Sequence, residues 1–313
     1  MSARTTASLC LLPLAAAASA PAGAQQVLFT EFFEEVFSLD IETGALVDLV
    51  DTPIAEPSPF GQHLAVAGDG AVYVSDFGRL FRFDPGAAEP YTQVADLGPA
   101  RSLGEVTRGA SPSGLVGIDG GAIVSIDPLS GSVQTLFDDA FFSASDVVVD
   151  AGGRVFATEF FGGLGFLDPG AAGFVEIGGF GSLDLDHLDI GPDGLIYAST
   201  GFDNGFLSVD PATGAVVDLG VQVYDAIDDL RVSDDNTLLF AGRVAGEDGV
   251  FRLGEGGSVV ALTTGGGEAF FNPQDLDLGS ATLRTTMVPE PGAALALAAA
   301  AGLASLRRRP RVG

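Results

Sequence analysis

The chain has 313 residues, 42 acidic against 14 arginine and no lysine, for a net charge of −28 and an isoelectric point near 4.1. Such a surface repels phosphate backbones and anionic lipid, which excludes nucleic acid and acidic membrane as natural partners. A hydrophobic fraction of 47% that includes 23 Phe excludes a disordered chain, and a single cysteine excludes a disulfide framework.

The chain opens with a segment built for export. Arg4 provides a weak positive region, Leu9 to Ala18 an apolar core, and Ala22-Gly23-Ala24 a small-residue cleavage site, so residues 1–24 read as a signal peptide cut after Ala24. Cys10 lies inside it, behind Leu9 rather than a small residue, which speaks against lipidation. Between residues 25 and 286 stand 41 acids and nine arginines. Solubility outside the cell accounts for that excess, and it would also tolerate hard cations.

From Val27 onward the chain repeats itself. An apolar strand ending in Asp and a tight turn recurs at Phe37-Ser38-Leu39-Asp40, Phe81-Arg82-Phe83-Asp84, Val124-Ser125-Ile126-Asp127, Gly165-Phe166-Leu167-Asp168 and Leu207-Ser208-Val209-Asp210. A sixth copy, Val250-Phe251-Arg252-Leu253-Gly254, has Gly in place of Asp, and the anchors lie 44, 43, 41, 42 and 44 residues apart. In Asp210-Pro211-Ala212-Thr213-Gly214 the carboxylate accepts turn amides, Pro presets φ, and Gly relaxes the exit, so these aspartates are structural. Upstream of each turn comes a hairpin, as in Leu64-Ala65-Val66, Asp69-Gly70, Val72-Tyr73-Val74, or Leu188-Asp189-Ile190, Asp193-Gly194, Ile196-Tyr197-Ala198. The third copy is degenerate, since Arg108 to Gly114 lengthens its hairpin.

Four strands in about 43 residues is the arithmetic of a propeller blade. The expected fold is all-β: a six-bladed β-propeller of four-stranded blades over 25–279, with a linear solenoid as the alternative. Val27-Leu28-Phe29 fits a second strand, and the missing first strand returns at the far end as Asp275-Leu276-Asp277-Leu278, sealing the ring. The repeat resembles NHL-type and other six-bladed bacterial propellers, without a family-specific fingerprint.

Aligning the hairpins places one polar column just before the innermost strand: His63, Asp146, His187, Asp229 and Asp275, with Glu105 as an approximate member. A second column follows the second strand: Glu31, Asp76, Asp119 and Glu159, changing to Thr200 and Arg243. Propeller wiring brings both columns to one face. His63, Asp146, His187, Asp229, Asp275, Glu31, Asp76 and Glu159 are therefore the candidate ligands of a channel-mouth site for a divalent cation such as calcium, in surroundings with little basic compensation. The competing reading is architectural: each acid bonds neighbouring backbone amides. Asp184-Leu185-Asp186-His187-Leu188-Asp189 is the densest local group, but strand alternation turns half of it away. Phe pairs such as Phe160-Phe161 fill gaps between blades, and without Trp the usual sugar-stacking platform is lacking. No serine elbow, paired-histidine zinc helix or cysteine cluster is present.

After a linker over 280–287 the chain ends in Val288-Pro289-Glu290-Pro291, an apolar run from Gly292 to Leu306, and Arg307-Arg308-Arg309-Pro310-Arg311. This tail, 288–313, resembles the PEP-CTERM sorting signal of Gram-negative bacteria. The resemblance implies processing at Pro289, Glu290 and Pro291 by an exosortase and delivery to the envelope or to exopolysaccharide. The physics agrees: such a run makes a helix of roughly 22 Å, marginal against a hydrocarbon core of roughly 30 Å. The arginines stay cytoplasmic by the positive-inside rule. The sorting helix is then the only contact with membrane, and signal peptidase and the exosortase are the processing partners.

Two functions follow as expectations. One is a non-enzymatic extracellular propeller that binds matrix polysaccharide or a surface protein. The other resembles gluconolactonase-type propellers, in which a channel-mouth metal polarises a lactone and activates water, although that family's own motifs are lacking here.

Overall fold

In the computed structural model the protein is described over residues 26–31, 35–51, 63–67, 69–76, 78–84, 91–96, 103–109, 114–138, 143–159, 163–167, 173–179, 185–201, 205–222, 225–254, 257–264 and 273–279. The expected signal segment, the 280–287 linker and the expected sorting tail, with Ala24, Pro289, Glu290 and Pro291, lie outside these residues. Among the described residues no helix is long and apolar enough to cross a membrane.

These residues form 24 strands in six antiparallel sheets of four. Five sheets are wound in simple chain order: β4(His63–Val66) to β7(Tyr91–Asp96), β8(Leu103–Arg108) to β11(Ser132–Phe137), β12(Ala144–Val149) to β15(Val175–Gly179), β16(Leu185–Ile190) to β19(Val216–Gln222), and β20(Ala226–Val232) to β23(Val259–Thr264). The sixth joins the two ends of the chain. β24(Pro273–Gly279) pairs with β1(Gln26–Glu31), which continues through β2(Glu35–Asp40) to β3(Leu46–Asp51). Val27 faces Leu278 and Phe29 faces Leu276 in that seam. The ring is therefore closed by hydrogen bonds between the C-terminal and N-terminal strands, and the solenoid alternative is set aside.

The core lies between blades rather than inside any one of them, because a single twisted sheet cannot bury both of its faces alone. Six hydrophobic clusters occupy the six blade-to-blade interfaces. One packs Leu28 and Val36 of the seam blade against Leu64, Val72 and Phe83 of the next. Another packs Leu239, Ala241 and Val250 against Val27, Phe29 and Leu276, across the closure itself. Phe240 on Phe251 and Phe29 on Phe37 stack as cross-strand pairs within single blades, on the faces that those clusters bury.

The Asp turns behave as the sequence predicts. The Asp127 carboxylate accepts from the Leu129 amide at 3.0 Å and the Ser130 hydroxyl at 2.7 Å; Asp210 does the same with Ala212 and Thr213. Those bonds, the hydroxyl bond foremost, hold both carboxyls below their ordinary range. The closing glycine has a second role. Gly44, Gly131 and Gly214 have φ of 70°, 68° and 71°. A Cβ on each would meet a carbonyl oxygen of the preceding blade's outer strand: Leu262 at 3.1 Å, Val94 at 2.6 Å and Ile177 at 2.9 Å. The turn is thus also where neighbouring blades meet at the rim.

Candidate functional site

The first strands of the blades, β4, β8, β12, β16, β20 and β24, stand next to one another around the axis. Each is hydrogen-bonded to a partner on its outer side only, so the amides on its other edge need acceptors from elsewhere. The acidic residues of these strands provide them. Asp146 on β12 accepts from its neighbour Val147 and, through its other oxygen, from Leu188 on β16. Asp229 on β20 accepts from Leu230 at 2.7 Å and from Leu276 on β24 at 2.7 Å. Asp189 on β16 accepts from Ile190 at 2.8 Å and from Val232 on β20 at 2.6 Å. Asp277 on β24 accepts from Val66 on β4. Each carboxylate is a clamp between one blade and the next.

The clamps form two tiers. Asp146 and Asp229 belong to the predicted column, whereas Asp189 and Asp277 sit two residues further along, below His187 and Asp275. Sequence alignment singled out the first tier and missed the second, although the two-residue spacing puts Asp189 on the same side of its strand as His187. Burial pushes the Asp189 carboxyl up to about 6, against the opposing pull of Arg231 and the two amides.

The column falls where the first strands bulge. Register shifts occur between Ala144 and Asp146, Leu185 and Leu188, and Ile227 and Asp229. A bulge frees an amide and re-aims a side chain. The freed amides of Asp146 and His187 go to hydroxyls of the second strand, Thr158 at 3.1 Å and Ser199 at 3.1 Å. These hydroxyls are buried, and so are Thr30 and Ser75 at matching positions. Sequence reasoning missed them, yet the signal was present: a Ser or Thr precedes the second-column residue in Thr30-Glu31, Ser75-Asp76, Thr158-Glu159 and Ser199-Thr200.

Of the eight candidate ligands, Asp146, His187 and Asp229 come together, each with one ligand atom within 4.8 Å of the others. They belong to three successive first strands. His187 Nδ1 lies 3.9 Å from Asp229 Oδ1, and its Nε2 lies 3.7 Å from Asp186 Oδ2. The side chain of His187 is 20% exposed, whereas both aspartates are buried. His63 begins β4, opposite Ser75, and β4 lies across the ring from β16. Glu159 ends β13 (Val155–Glu159) opposite Ala144. Asp76 pairs in register with Arg79, and the seam sets Thr30 opposite Asp275 and Glu31 opposite Pro273. The side chains of Glu31, Asp76 and Asp275 lie outside the described residues. In the second column Thr200 accepts from the Gly205 amide at 2.9 Å, and Arg243 forks onto Asp248.

One feature corrects the expected electrostatics. Arg231, 6% exposed, donates from Nη1 to Asp229 Oδ1 at 2.9 Å and to the Leu230 carbonyl at 2.7 Å. Its place two residues after Asp229 on the same strand carried that information, but an arginine among apolar strand residues reads as a surface position. The first-strand wall therefore holds a buried cation among its acids.

No protein-family model matches this chain, and no curated protein matches it either. Solved structures do. A chain of a nidogen/laminin complex superposes with a TM-score of 0.65 at 12% identity, over 82% of this chain and 98% of that one. A streptogramin B lyase gives 0.54 at 11% identity, over 75% and 72%. A virginiamycin B lyase from Staphylococcus aureus gives 0.51 at 12%, over 64% and 69%. At such identities the likeness is one of fold: the six-bladed propeller.

Proposed function

We propose that this chain is an exported propeller that acts as a rigid extracellular or surface disc, binding matrix components or another protein rather than turning over a substrate. The observation that carries this reading is the use made of the first-strand acids. Asp146, Asp189 and Asp229 each bridge amides of two blades, and Asp277 reaches the next blade's Val66. Polar groups placed this way make a stiff ring, which suits a display scaffold. The solved nidogen/laminin complex has a chain of the same fold in a protein assembly, a likeness in kind only.

The route to the surface is part of the same proposal: signal peptidase cuts after Ala24, and an exosortase-type enzyme recognises Pro289-Glu290-Pro291. Replacing those three residues by alanine is expected to trap an unprocessed form in the inner membrane, seen by cell fractionation and blotting. For binding, the processed protein is incubated with exopolysaccharide and surface extract of its producing cell. Recovery no better than with a charge-matched acidic control protein would sink the reading.

A second reading, a metal-dependent hydrolase of the lactonase type, is favoured by one arrangement, the grouping of Asp146, His187 and Asp229. An ion held there would polarise a carbonyl and lower the pKa of a bound water. Lactone turnover that is abolished by a chelator and by His187→Gln would establish it over the first.

A further inference from the structure

Around the His187 ring the described residues gather three carboxyl groups. Asp146 and Asp229 share the cluster, and Asp186 lies 3.7 Å from Nε2. Arg231 donates to Asp229 within this group, and it is anchored to the Leu230 carbonyl as well. Buried carboxyls grouped at an imidazole favour a bound positive charge.

We propose that Asp146, His187 and Asp229, brought together by three successive blades, form a mixed imidazole–carboxylate site for a first-row divalent ion such as Zn2+ or Mn2+, not for calcium. The donor chemistry makes the choice. Imidazole is a ligand of zinc and its neighbours, while calcium asks for roughly six to eight oxygens. Here both carboxylates hold a backbone amide on each oxygen, and Asp229 Oδ1 accepts from Arg231 as well. That arrangement orients them as single-oxygen ligands and works against the two-oxygen grip calcium uses. Three protein ligands, with water completing the shell, is the count of an open zinc-type site.

The dimensions are compatible. Bonds of roughly 2.0–2.2 Å set tetrahedral ligand atoms about 3.4 Å apart. The 3.9 Å between His187 Nδ1 and Asp229 Oδ1 closes to that value with a small swing of the imidazole, and all three ligand atoms lie within 4.8 Å of one another. His187 is the member with room to move, because its ring reaches solvent while the two aspartates are fixed between strands. The site is narrower than the eight-residue mouth that the two columns suggest: it uses one arc of the disc and leaves His63 out.

The site stands whether the disc only binds or also catalyses, and its test reads binding alone. The full chain, stripped with a chelator, is titrated calorimetrically with Zn2+, Mn2+ and Ca2+, and with Co2+ followed by visible absorption. One equivalent of Zn2+ or Mn2+ is expected, with affinity reduced tenfold or more in His187→Gln and unchanged in His63→Gln. Co2+ should develop visible bands in the parent protein that His187→Gln loses. The parent Co2+ spectrum decides the matter even if the His187 variant folds poorly. No stoichiometric binding, equal loss in both histidine variants, or one-equivalent Ca2+ binding indifferent to His187 would each overturn the proposal.

Discussion

Asp229 and Asp146 perform the same task under different local charge, and that difference sets what their removal costs. Asp146→Ala strands two buried amides on adjacent blades, a loss of about 2–6 kcal/mol at the usual cost of an unmet buried donor. Asp229→Ala strands two amides as well and also removes the carboxylate to which the buried Arg231 donates at 2.9 Å. Breaking a buried pair from one side costs about 3–5 kcal/mol. Urea unfolding should therefore rank Asp229→Ala as the more damaging, and Arg231→Met added to it should restore part of the loss. Equal effects of the two single changes would deny Arg231 the role given to it. At the rim, Gly131→Ala meets both a left-handed φ of 68° and the Val94 carbonyl. It should cost roughly 1–3 kcal/mol, a strain alanine cannot relieve by rotating.

Among the elements, β24 carries more than its length suggests. It completes the seam with β1, takes the Asp229 clamp on its Leu276 amide, and sends the Asp277 clamp to Val66 on β4. A chain ending at Asn272 loses all three and leaves β1 as an exposed edge, so it should melt without a cooperative transition and associate in size-exclusion chromatography. A chain ending at Gly279 should melt as the intact one does; if both truncations behave alike, the seam is not what closes the ring. This strand also shows what could be read in advance. Asp275-Leu276-Asp277-Leu278 alternates cleanly, and an unpaired second strand at the start of the chain demanded a partner, so closure was legible. Which of its two aspartates clamps the next blade was not. Asp146 and Asp229 clamp from the column itself, whereas Asp189 and Asp277 clamp from two residues on. Spacing alone treats these positions as equivalent. The bulges at Asp146, Leu188 and Asp229 decide where along the strand a side chain meets its neighbour, and a bulge has no fixed residue signature. Arg231 escaped for a related reason: alternation gives its side of the strand but not the carboxylate that makes burial tolerable.

For the molecule as a whole, the acid excess and the buried clamps give stability an unusual slope with pH. The Asp189 carboxyl titrates at about 6 in the fold against 3.8 for the ordinary group, so its ionised form is disfavoured by burial. The sign is then opposite to that of a paired surface acid. The penalty is fully present above pH 6, is relieved as pH falls toward 4 while the folded state takes up the proton first, and is worth on the order of 3 kcal/mol over that interval. Asp228 is shifted upward as well, chiefly by burial, and adds in the same direction. Below pH 4 the trend reverses. Asp127, Asp210 and Asp235 are held low, first of all by side-chain hydroxyl bonds, and their contribution disappears as they protonate. The folded ring should therefore be most stable between about pH 4 and 6, on the acid side of neutrality. Thermal unfolding in chelator-containing buffers from pH 3 to 8 measures this directly. Asp189→Asn keeps an acceptor for one of the two amides but cannot titrate, so between pH 7 and 5 it should lose about one proton's worth of slope, roughly 1.4 kcal/mol per pH unit at most. An undiminished slope in that variant would place the proton uptake elsewhere among the acids, and Asp228→Asn would be the next substitution to carry through the same series.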